Sequence, residues 1–271
     1  MVQRYRRGKK KSATDRPLLG NHQKCWIWGR NAVRETLDAG RWPILEIFLS
    51  TDVPDDQLDV ARESARALGM TLQVESTEEL TARCRSAEHQ GYLARMTEYP
   101  YDDVQTVLAN GSAQPLYAIL DSIQDPYNFG AILRSAETLG VDGVFIGSQN
   151  QVNVTSLVAR SSAGAVNHMA IAQVECLAEL ADMLKQLGSC VVAAHEAGSK
   201  PVYECDFTSG CAIVIGNEGR GISDDVLAVC DQQVAVPQYG RVGSLNAAVA
   251  AGILFYEAAR QRGLSGERRP S

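Results

Sequence analysis

The sequence lacks several features that would define its class at once. No apolar run approaches the roughly 20 residues that a membrane helix needs, and the charged first 24 residues contain no apolar secretory segment. The seven cysteines include no C-x-x-C pair, and an odd set in mostly apolar surroundings is typical of reduced, structural thiols. We therefore expect a globular cytoplasmic protein with no membrane segment and no disulfide framework.

Basic charge is concentrated at the amino terminus. Eight of the 26 Lys and Arg residues lie within residues 1–24. Of the 32 Asp and Glu residues, only Asp15 lies in this segment. The rest of the chain is therefore acidic, and the net charge is −6. A basic arm on an acidic body is typical of a protein that captures a polyanion such as a nucleic acid. Composition alone fits equally well a tail that only increases solubility, or residues left from an expression tag.

Hydrophobic periodicity divides the chain into two α/β units. Residues 25–98 predict a small unit of alternating helices and strands, and Pro, Gly, Asn and acidic residues over 99–114 predict a linker with one helical turn. Across 115–264, continuous apolar strands alternate with helices, which predicts a mostly parallel sheet covered on both faces. Residues 1–24 are assigned to a basic flexible tail and 265–271 to a second flexible tail.

Chemistry is expected in loops at the carboxyl ends of the strands, where parallel sheets bind ligands. The first loop, 121–140, turns at Asp125 and places Asn128 at a helix cap. Arg134 follows on the helix; a guanidinium near a helix amino terminus suits an incoming phosphate, although by itself it would more often be a solvated position.

Two further loops have related patterns. In 213–223, glycines at 216, 219 and 221 bracket Asn217 and Glu218; this spacing matches neither the dinucleotide-binding nor the P-loop pattern, and alone it could be a flexible turn. The loop from Val236 passes through Pro237 into a nearly all-apolar helix, for which Ser244 is the expected N-cap. Such a helix is expected to be buried in the core or against a second subunit.

Taken together and in this order, the three loops resemble the signature motifs of the SpoU (TrmH-like) branch of the SPOUT methyltransferases. The family's D-P-x-N-x-G-A-x-x-R corresponds to residues 125–134, its G-N-E-G-x-G to 216–221 and its S-L-N to 244–246. SSAGAV at 161–166 is similar to a further family segment. More diffusely, GRNAV at 29–33 and HQGYLA at 89–94 resemble the family's ribosomal-protein-like substrate-binding domain.

The resemblance implies an architecture that periodicity does not give. It implies a carboxyl-terminal SPOUT domain with a deep trefoil knot, which general topology rules make very improbable, and a homodimer whose active site combines motifs from both subunits. It also implies S-adenosylmethionine as cofactor, S-adenosylhomocysteine as product and no metal. The cofactor would be held largely by backbone groups of the second and third motifs, at Gly216, Asn217, Gly221, Val236, Pro237 and Leu245.

The implied reaction is methylation of a ribose 2′-hydroxyl of RNA. The catalytic set carried over from the motifs is Asn128, Arg134, Glu218, Ser244 and Asn246. Family proposals give proton removal to the arginine, but a guanidinium holds its proton above pH about 12. We expect instead that Arg134 grips the target phosphate and that Glu218 is its ion-pair partner. For His89 we expect a capping or core position.

The amino-terminal unit favours a guanosine of large-subunit rRNA over tRNA, because relatives that lack such a domain tend to act on tRNA. Two alternatives remain: a non-catalytic RNA-binding or ribosome-assembly factor, which the intact catalytic set disfavours, and a base-methylating SPOUT enzyme, which the motif-one Asn and Arg disfavour. Glycine spacing disfavours a Rossmann dehydrogenase. Tyr127 and Phe129, and Ala247 and Ala248, depart from family preferences next to the first and third motifs.

Overall fold

The computed structural model describes residues 26–241 and 243–263. The two predicted tails, at 1–24 and 265–271, and Cys25 lie outside the described residues. No helix in the described ranges is long and apolar enough to cross a membrane.

The first unit is a four-stranded sheet with three helices. Its strand order is β1-β4-β2-β3, and β2 pairs in parallel with β3 while β4 runs antiparallel to both of its neighbours. In chain order the elements are β1 (Trp26–Trp28), α1 (Arg30–Ala39), β2 (Ile44–Ser50), α2 (Asp55–Ala67), β3 (Thr71–Glu75), α3 (Thr77–Cys84) and β4 (Tyr92–Met96). These elements form the small unit of alternating helices and strands that was expected for residues 25–98.

The start of α3 shows how local sequence sets an element boundary. The Ser76 hydroxyl accepts from the Glu79 N–H at 3.3 Å, and the Glu79 carboxylate accepts from the Ser76 N–H at 2.9 Å. This reciprocal capping box satisfies two backbone donors that the first helical turn leaves free. The capping box thus fixes the start of α3 at Ser76.

The second unit is a seven-stranded sheet in which every strand pairing is parallel. Its order is β7-β6-β5-β10-β8-β11-β9, and the residues of the central strands β5 and β10 are almost all buried. The strands are β5 (Leu116–Asp121), β6 (Gly143–Gly147), β7 (Ile171–Val174), β8 (Cys190–Ala194), β9 (Lys200–Pro201), β10 (Cys211–Gly216) and β11 (Gln232–Ala235). The predicted parallel sheet is confirmed, and the trefoil knot stays a prediction.

The helices of this part of the chain are α4 (Val104–Ala109), α5 (Pro126–Thr138), α6 (Ser156–Ser161), α7 (Leu177–Gln186), α8 (Asp224–Val229) and α9 (Ala247–Gln261), with 3₁₀ turns at 165–167 and 202–204. α4 is the helical turn expected in the linker. The chain between 156 and 167 is divided into α6 and a 3₁₀ turn, because Ala163 and Gly164 have φ of 50° and 87°, which an α-helix does not admit.

The two units pack against each other through the segment that joins them. The Tyr99 hydroxyl donates to the Val166 carbonyl at 2.8 Å, and its ring meets Trp42 edge-on at 5.0 Å. Arg41 of the first unit forms an ion pair with Asp102, whose carboxylate also accepts from the Ile171 N–H of β7 at 2.9 Å. The small unit is thus fixed to the edge of the large sheet.

The cysteines in the described ranges are all free. Burial raises the pKa of Cys205, Cys211 and Cys230 to about 11. Because the thiolate is the reactive form, these three side chains stay protonated at neutral pH and act as small apolar groups. The expected structural role is confirmed for them.

His89 is a core residue, as expected. Its side chain is 2% exposed, its Nδ1 accepts from the Gly91 N–H at 3.1 Å, and its Nε2 lies 3.0 Å from the Thr81 hydroxyl. Since Nδ1 accepts, the single proton of the neutral ring is on Nε2. Burial lowers the pKa of His89, because the imidazolium form would lose its hydration.

We predict an acid-sensitive contribution of His89 to stability. As the pH falls below the unfolded-state pKa of about 6.5, the unfolded chain takes up a proton that the folded chain does not, so the unfolding free energy decreases until the folded pKa is reached. Urea unfolding between pH 7.5 and 5.5 measures this slope, and His89→Gln should flatten it. An unchanged slope in the variant would refute the assignment.

Candidate active site

The first loop is shaped by a cap and by one close contact. Asp125 is the N-cap of α5: its carboxylate accepts from the Tyr127 N–H at 2.8 Å, and Pro126 occupies the first turn. A side chain at Gly130 would place its Cβ 1.9 Å from the Ser161 hydroxyl, so α5 packs directly on α6. The expected cap at Asn128 is wrong; because Asp125 caps the helix, the Asn128 amide is available for other contacts.

Asn128, Glu218 and Asn246 form a continuous hydrogen-bonded chain. The Asn246 Nδ2 donates to the Asn128 Oδ1 at 2.9 Å, and the Asn128 Nδ2 donates to the Glu218 carboxylate. One residue comes from each of the three loops; Asn128 lies 90 positions before Glu218 and 118 before Asn246 in the sequence. The predicted convergence of the loops is therefore observed for these three side chains.

The third loop enters its helix two residues later than expected. The Asn246 Oδ1 accepts from the backbone N–H groups of Ala248 and Val249, at 2.9 and 3.3 Å. Asn246 is thus the N-cap of α9, and the expected cap at Ser244 is wrong. Asn is as good a cap as Ser, and here one amide both caps the helix and orients Asn128. Ser244 is exposed and lines the neighbouring cavity.

The glycine-rich loop is held in a defined shape by Asn217. Its Oδ1 accepts from the Gly219 and Arg220 N–H groups at 2.9 and 3.1 Å, and its Nδ2 donates to the Ser122 carbonyl at 2.9 Å. The backbones of Asn217 and Gly221 also exchange two hydrogen bonds. The loop is therefore a closed turn rather than the flexible connection that the glycines alone would permit.

Sequence reasoning missed the buried carboxylate that anchors this loop. Asp121 is 5% exposed, and its Oδ2 accepts from the Ser223 N–H and hydroxyl at 2.7 and 2.6 Å. The Ser122 hydroxyl donates to the other oxygen at 2.9 Å. The available signal was a charged residue at the end of an otherwise apolar strand, since buried carboxylates require hydrogen-bond partners. Asp121 and Ser122 thus fix the loop from β5.

A cavity of about 390 Å³ lies between the second and third loops. Its walls combine loop backbone with apolar side chains and a few polar groups, and every residue predicted to hold a cofactor lines it except Pro237. At Gly216 an added Cβ would lie 2.4 Å from the carbonyl carbon of Gly221, so the two loop ends touch there. The volume is within the range of about 300 to 1,000 Å³ that is usual for small-molecule sites.

Arg134 does not join the hydrogen-bonded chain. It is exposed on α5 and forms no hydrogen bond or ion pair with any residue in the described ranges. The expected ion pair with Glu218 is not formed within this chain, where Glu218 accepts from Asn128 instead. Six helical residues place Arg134 about 9 Å further along the axis than Asn128 and on another side of the helix.

Comparison with known proteins identifies the fold and the motifs. The profile of the SpoU rRNA methylase family matches residues 115–256, and that of RNA 2′-O ribose methyltransferase substrate binding matches 26–102. The TrmH-family tRNA/rRNA methyltransferase YacO of Bacillus subtilis is 34% identical over 250 residues, covering 91% of this chain and all of the relative. The chain belongs to the SpoU/TrmH family.

Solved structures of SpoU/TrmH enzymes have the same fold. The SpoU methyltransferase AviRb of Streptomyces viridochromogenes, in complex with AdoMet, superposes with a TM-score of 0.77 at 27% identity, covering 90% of this chain and 95% of that one. An AdoMet-bound rRNA methyltransferase of Sinorhizobium meliloti gives 0.77 at 25%, with coverage of 90% and 89%. The predicted enzyme class is confirmed: the protein is an RNA methyltransferase of this family.

Proposed function

We propose that the protein transfers the methyl group of S-adenosylmethionine to the ribose 2′-hydroxyl of a guanosine in cytoplasmic large-subunit rRNA. The observation that carries this proposal is the Asn128–Glu218–Asn246 chain beside the cavity of the second and third loops. The hydrogen-bonded chain offers polar groups that can orient a ribose hydroxyl. The cavity beside it has a suitable size for a nucleoside cofactor.

The cavity fits the cofactor. Apolar side chains such as Ile215, Val234 and Leu254 offer a surface for an adenine ring, and the loop backbone near Gly216 and Leu245 offers hydrogen-bonding groups. The bound cofactor supplies an electrophilic sulfonium methyl group. The predicted cofactor is supported by the two neighbours solved with AdoMet.

The protein's own groups orient the acceptor. Asn128 is held from both sides, by Asn246 and by Glu218, so its rotamer is fixed before the RNA arrives, which lowers the entropic barrier to reaction. Glu218 is exposed and its carboxylate can accept from the ribose hydroxyl. Ser244, at the cavity mouth, is a second polar contact for the ribose. The guanidinium of Arg134 binds the neighbouring phosphate with its planar fork.

A second copy of the chain is needed to bring Arg134 to this site. Arg134 has no hydrogen-bond or ion-pair partner among the described residues. The helix that carries it, α5, packs against α9, whose exposed apolar side chains include Val249 (51%) and Tyr256 (59%). Exposed apolar surface of this kind marks association sites. We therefore place the homodimer interface on α5 and α9, so that Arg134 of one subunit faces the Asn128–Glu218–Asn246 chain of the other.

The dimer is tested by introducing charge into this face. Val249→Arg should yield a monomer in analytical ultracentrifugation and should lose methyl transfer, because a buried unpaired charge opposes association. Val60→Arg, at an equally exposed valine (59%) on α2, is the matched control and should stay dimeric and active. A Val249→Arg dimer, or a fully active Val249→Arg monomer, would contradict the interface.

The choice of rRNA over tRNA rests on the amino-terminal unit, which matches the substrate-binding profile, and on the neighbour from Sinorhizobium meliloti, an rRNA methyltransferase. Methyl transfer from labelled S-adenosylmethionine to total RNA that lacks the native modification tests the substrate, followed by nucleoside mass spectrometry. We expect 2′-O-methylguanosine in the large rRNA. Label in tRNA would overturn the substrate, and cofactor binding without label in any RNA would favour the non-catalytic assembly factor.

Deleting residues 1–24 should weaken RNA binding without changing the turnover number. The segment carries eight of the chain's basic residues. Each RNA phosphate that these residues neutralise contributes about 0.7 to 0.9 to the slope with which the logarithm of the RNA-binding constant falls against the logarithm of the salt concentration. The deletion should remove that contribution. The KM for RNA, measured between 50 and 200 mM salt, should rise and become less salt-dependent. An unchanged slope would show that this segment does not bind the RNA.

A further inference from the structure

The glycine-rich loop is tied at both of its ends to two consecutive residues of the neighbouring strand. Gly216, the last residue of β10, pairs in register with Asp121, the last residue of β5. At the start of the loop, the Asn217 Nδ2 donates to the Ser122 carbonyl at 2.9 Å. Just after the loop, Ser223 donates to the Asp121 carboxylate. We refer to Asp121, Ser122, Asn217 and Ser223 as the loop anchor.

Asp121 is a buried carboxylate whose hydrogen bonds are directed at this loop. It forms no ion pair with any residue in the described ranges, so hydrogen bonds alone compensate its burial. Two of the three come from the N–H and hydroxyl of Ser223, at 2.7 and 2.6 Å, and the third comes from the Ser122 hydroxyl at 2.9 Å. Because hydrogen bonds to a carboxylate are stronger than those between neutral groups, Asp121 holds the end of the loop firmly.

Ser122 has a backbone conformation that serine rarely adopts. Its φ is 61°, in the left-handed region where residues other than glycine are strained. In this conformation its carbonyl accepts from the Asn217 side chain. Strain of this kind persists only where the surrounding structure imposes it, and it is found preferentially at functional sites. This observation is independent of the buried carboxylate and indicates a functional role for the same pair of residues.

The Asn217 side chain is engaged in shaping the loop. Its Oδ1 accepts from the N–H groups of Gly219 and Arg220, which uses both lone pairs of an amide oxygen. Its Nδ2 is held by the Ser122 carbonyl. Asn217 lines the cavity, but its side-chain oxygen has no lone pair left for a ligand. Contact with the cofactor is therefore left to the backbone of the loop, and the side chain holds that backbone in place.

The anchored loop carries two parts of the active site. All six residues from Gly216 to Gly221 line the cofactor cavity, and within them the Glu218 carboxylate accepts from the Asn128 Nδ2. A displacement of the loop therefore changes the wall of the cavity and separates Glu218 from Asn128 at the same time. Binding and catalytic groups act efficiently only when the surrounding residues hold them in place beforehand.

We propose that the residues of the loop anchor are positioning residues, which hold the glycine-rich loop in the shape that binds S-adenosylmethionine and presents Glu218 to the ribose. The proposal rests on the proposed function in placing the cofactor in this cavity. Asp121, Ser122 and Ser223 do not line the cavity, so they act through the loop and not by touching the cofactor. Weakening the anchor should therefore reduce cofactor affinity and kcat, whereas the contacts that bind RNA elsewhere are unchanged.

The test is isothermal titration of full-length variants with S-adenosylhomocysteine, with the melting temperature of each variant measured alongside. Asp121→Asn keeps the side-chain volume but replaces one acceptor oxygen by a donor amide. It should raise Kd about tenfold, the effect of losing one hydrogen bond to a charged group. Ser223→Ala removes the hydroxyl and should raise Kd about fivefold. Ser223→Thr keeps the hydroxyl and should bind like the wild type.

A second buried network on the same sheet provides matched controls. At the amino end of β5, the Asp142 carboxylate accepts from the N–H and hydroxyl of Ser112, at 3.3 and 3.1 Å, and from the Leu116 N–H at 2.8 Å. This is the same chemistry at the edge of the sheet opposite to the cavity. Asp142→Asn and Ser112→Ala should lower the melting temperature about as much as Asp121→Asn and Ser223→Ala, but they should leave Kd unchanged.

Methyl transfer separates positioning from a general loss of structure. At saturating S-adenosylmethionine, Asp121→Asn should lower kcat and leave the KM for RNA unchanged. Wild-type affinity in Asp121→Asn, an equal rise of Kd in Asp142→Asn, or a Ser223→Thr protein that binds as weakly as Ser223→Ala would each overturn the proposal. Wild-type protein that binds no S-adenosylhomocysteine would instead refute the proposed function, and with it the placement of the cofactor on which the loop anchor depends.

Discussion

Arg134→Ala is expected to lower kcat for methyl transfer by at least about 100-fold, the effect of removing one preorganised donor from a transition state. The side chain is exposed and forms no hydrogen bond or ion pair with the described residues, so its loss should leave the melting temperature unchanged. The proposed function assigns Arg134 to the assembled active site, where its guanidinium would bind the target phosphate and steer the 2′-hydroxyl.

Arg134→Lys should lower kcat for methyl transfer almost as much. An ammonium group keeps the charge but lacks the planar, bidentate fork that fixes a phosphate in one orientation. Single-turnover methyl transfer at saturating RNA separates this effect on chemistry from an effect on binding. Arg66→Ala, at another exposed helical arginine, is the control and should retain normal kcat. Near-normal turnover by the lysine variant would rule out the bidentate contact and leave a simple electrostatic role.

Gly216→Ala is expected to abolish cofactor binding, with Kd for S-adenosylmethionine raised by at least about 100-fold, equivalent to nearly 3 kcal/mol. The added Cβ would lie 2.4 to 2.5 Å from the backbone of Gly221 and Ile222. No side-chain rotation relieves a clash with backbone, so the loop must open and its exchange of hydrogen bonds between Asn217 and Gly221 must break. The walls of the cavity then separate.

Gly219→Ala is the matched control for this prediction. It lies three residues away in the same loop, and its added Cβ would have only the Asn217 Oδ1 nearby, at 3.5 Å, which is an ordinary van der Waals contact. Isothermal titration of both variants with S-adenosylhomocysteine compares them directly, and circular dichroism checks that both are folded. Equal affinities in the two variants would show that the closed loop is not needed to bind the cofactor.

Much of the fold could be predicted from the sequence because the signals are local. Continuous apolar strands such as β5 and β10 predict a buried parallel sheet. The predicted helix caps were wrong where two nearby residues could each cap the same helix. Asp125 and Asn128 are both good caps, as are Ser244 and Asn246, and the choice depends on which side chain has a partner elsewhere in the fold.

The sequence by itself determined the α/β architecture, the family motifs and the three loops that would carry the chemistry, since each depends on residues close together in the chain. Only the tertiary structure decided which of those residues meet. Asn128, Glu218 and Asn246 lie in one chain of hydrogen bonds, whereas Arg134 turns away from Glu218 because six residues of helix fix its direction. Spacing along the sequence does not specify contacts across a sheet; these follow from the order in which the strands pack.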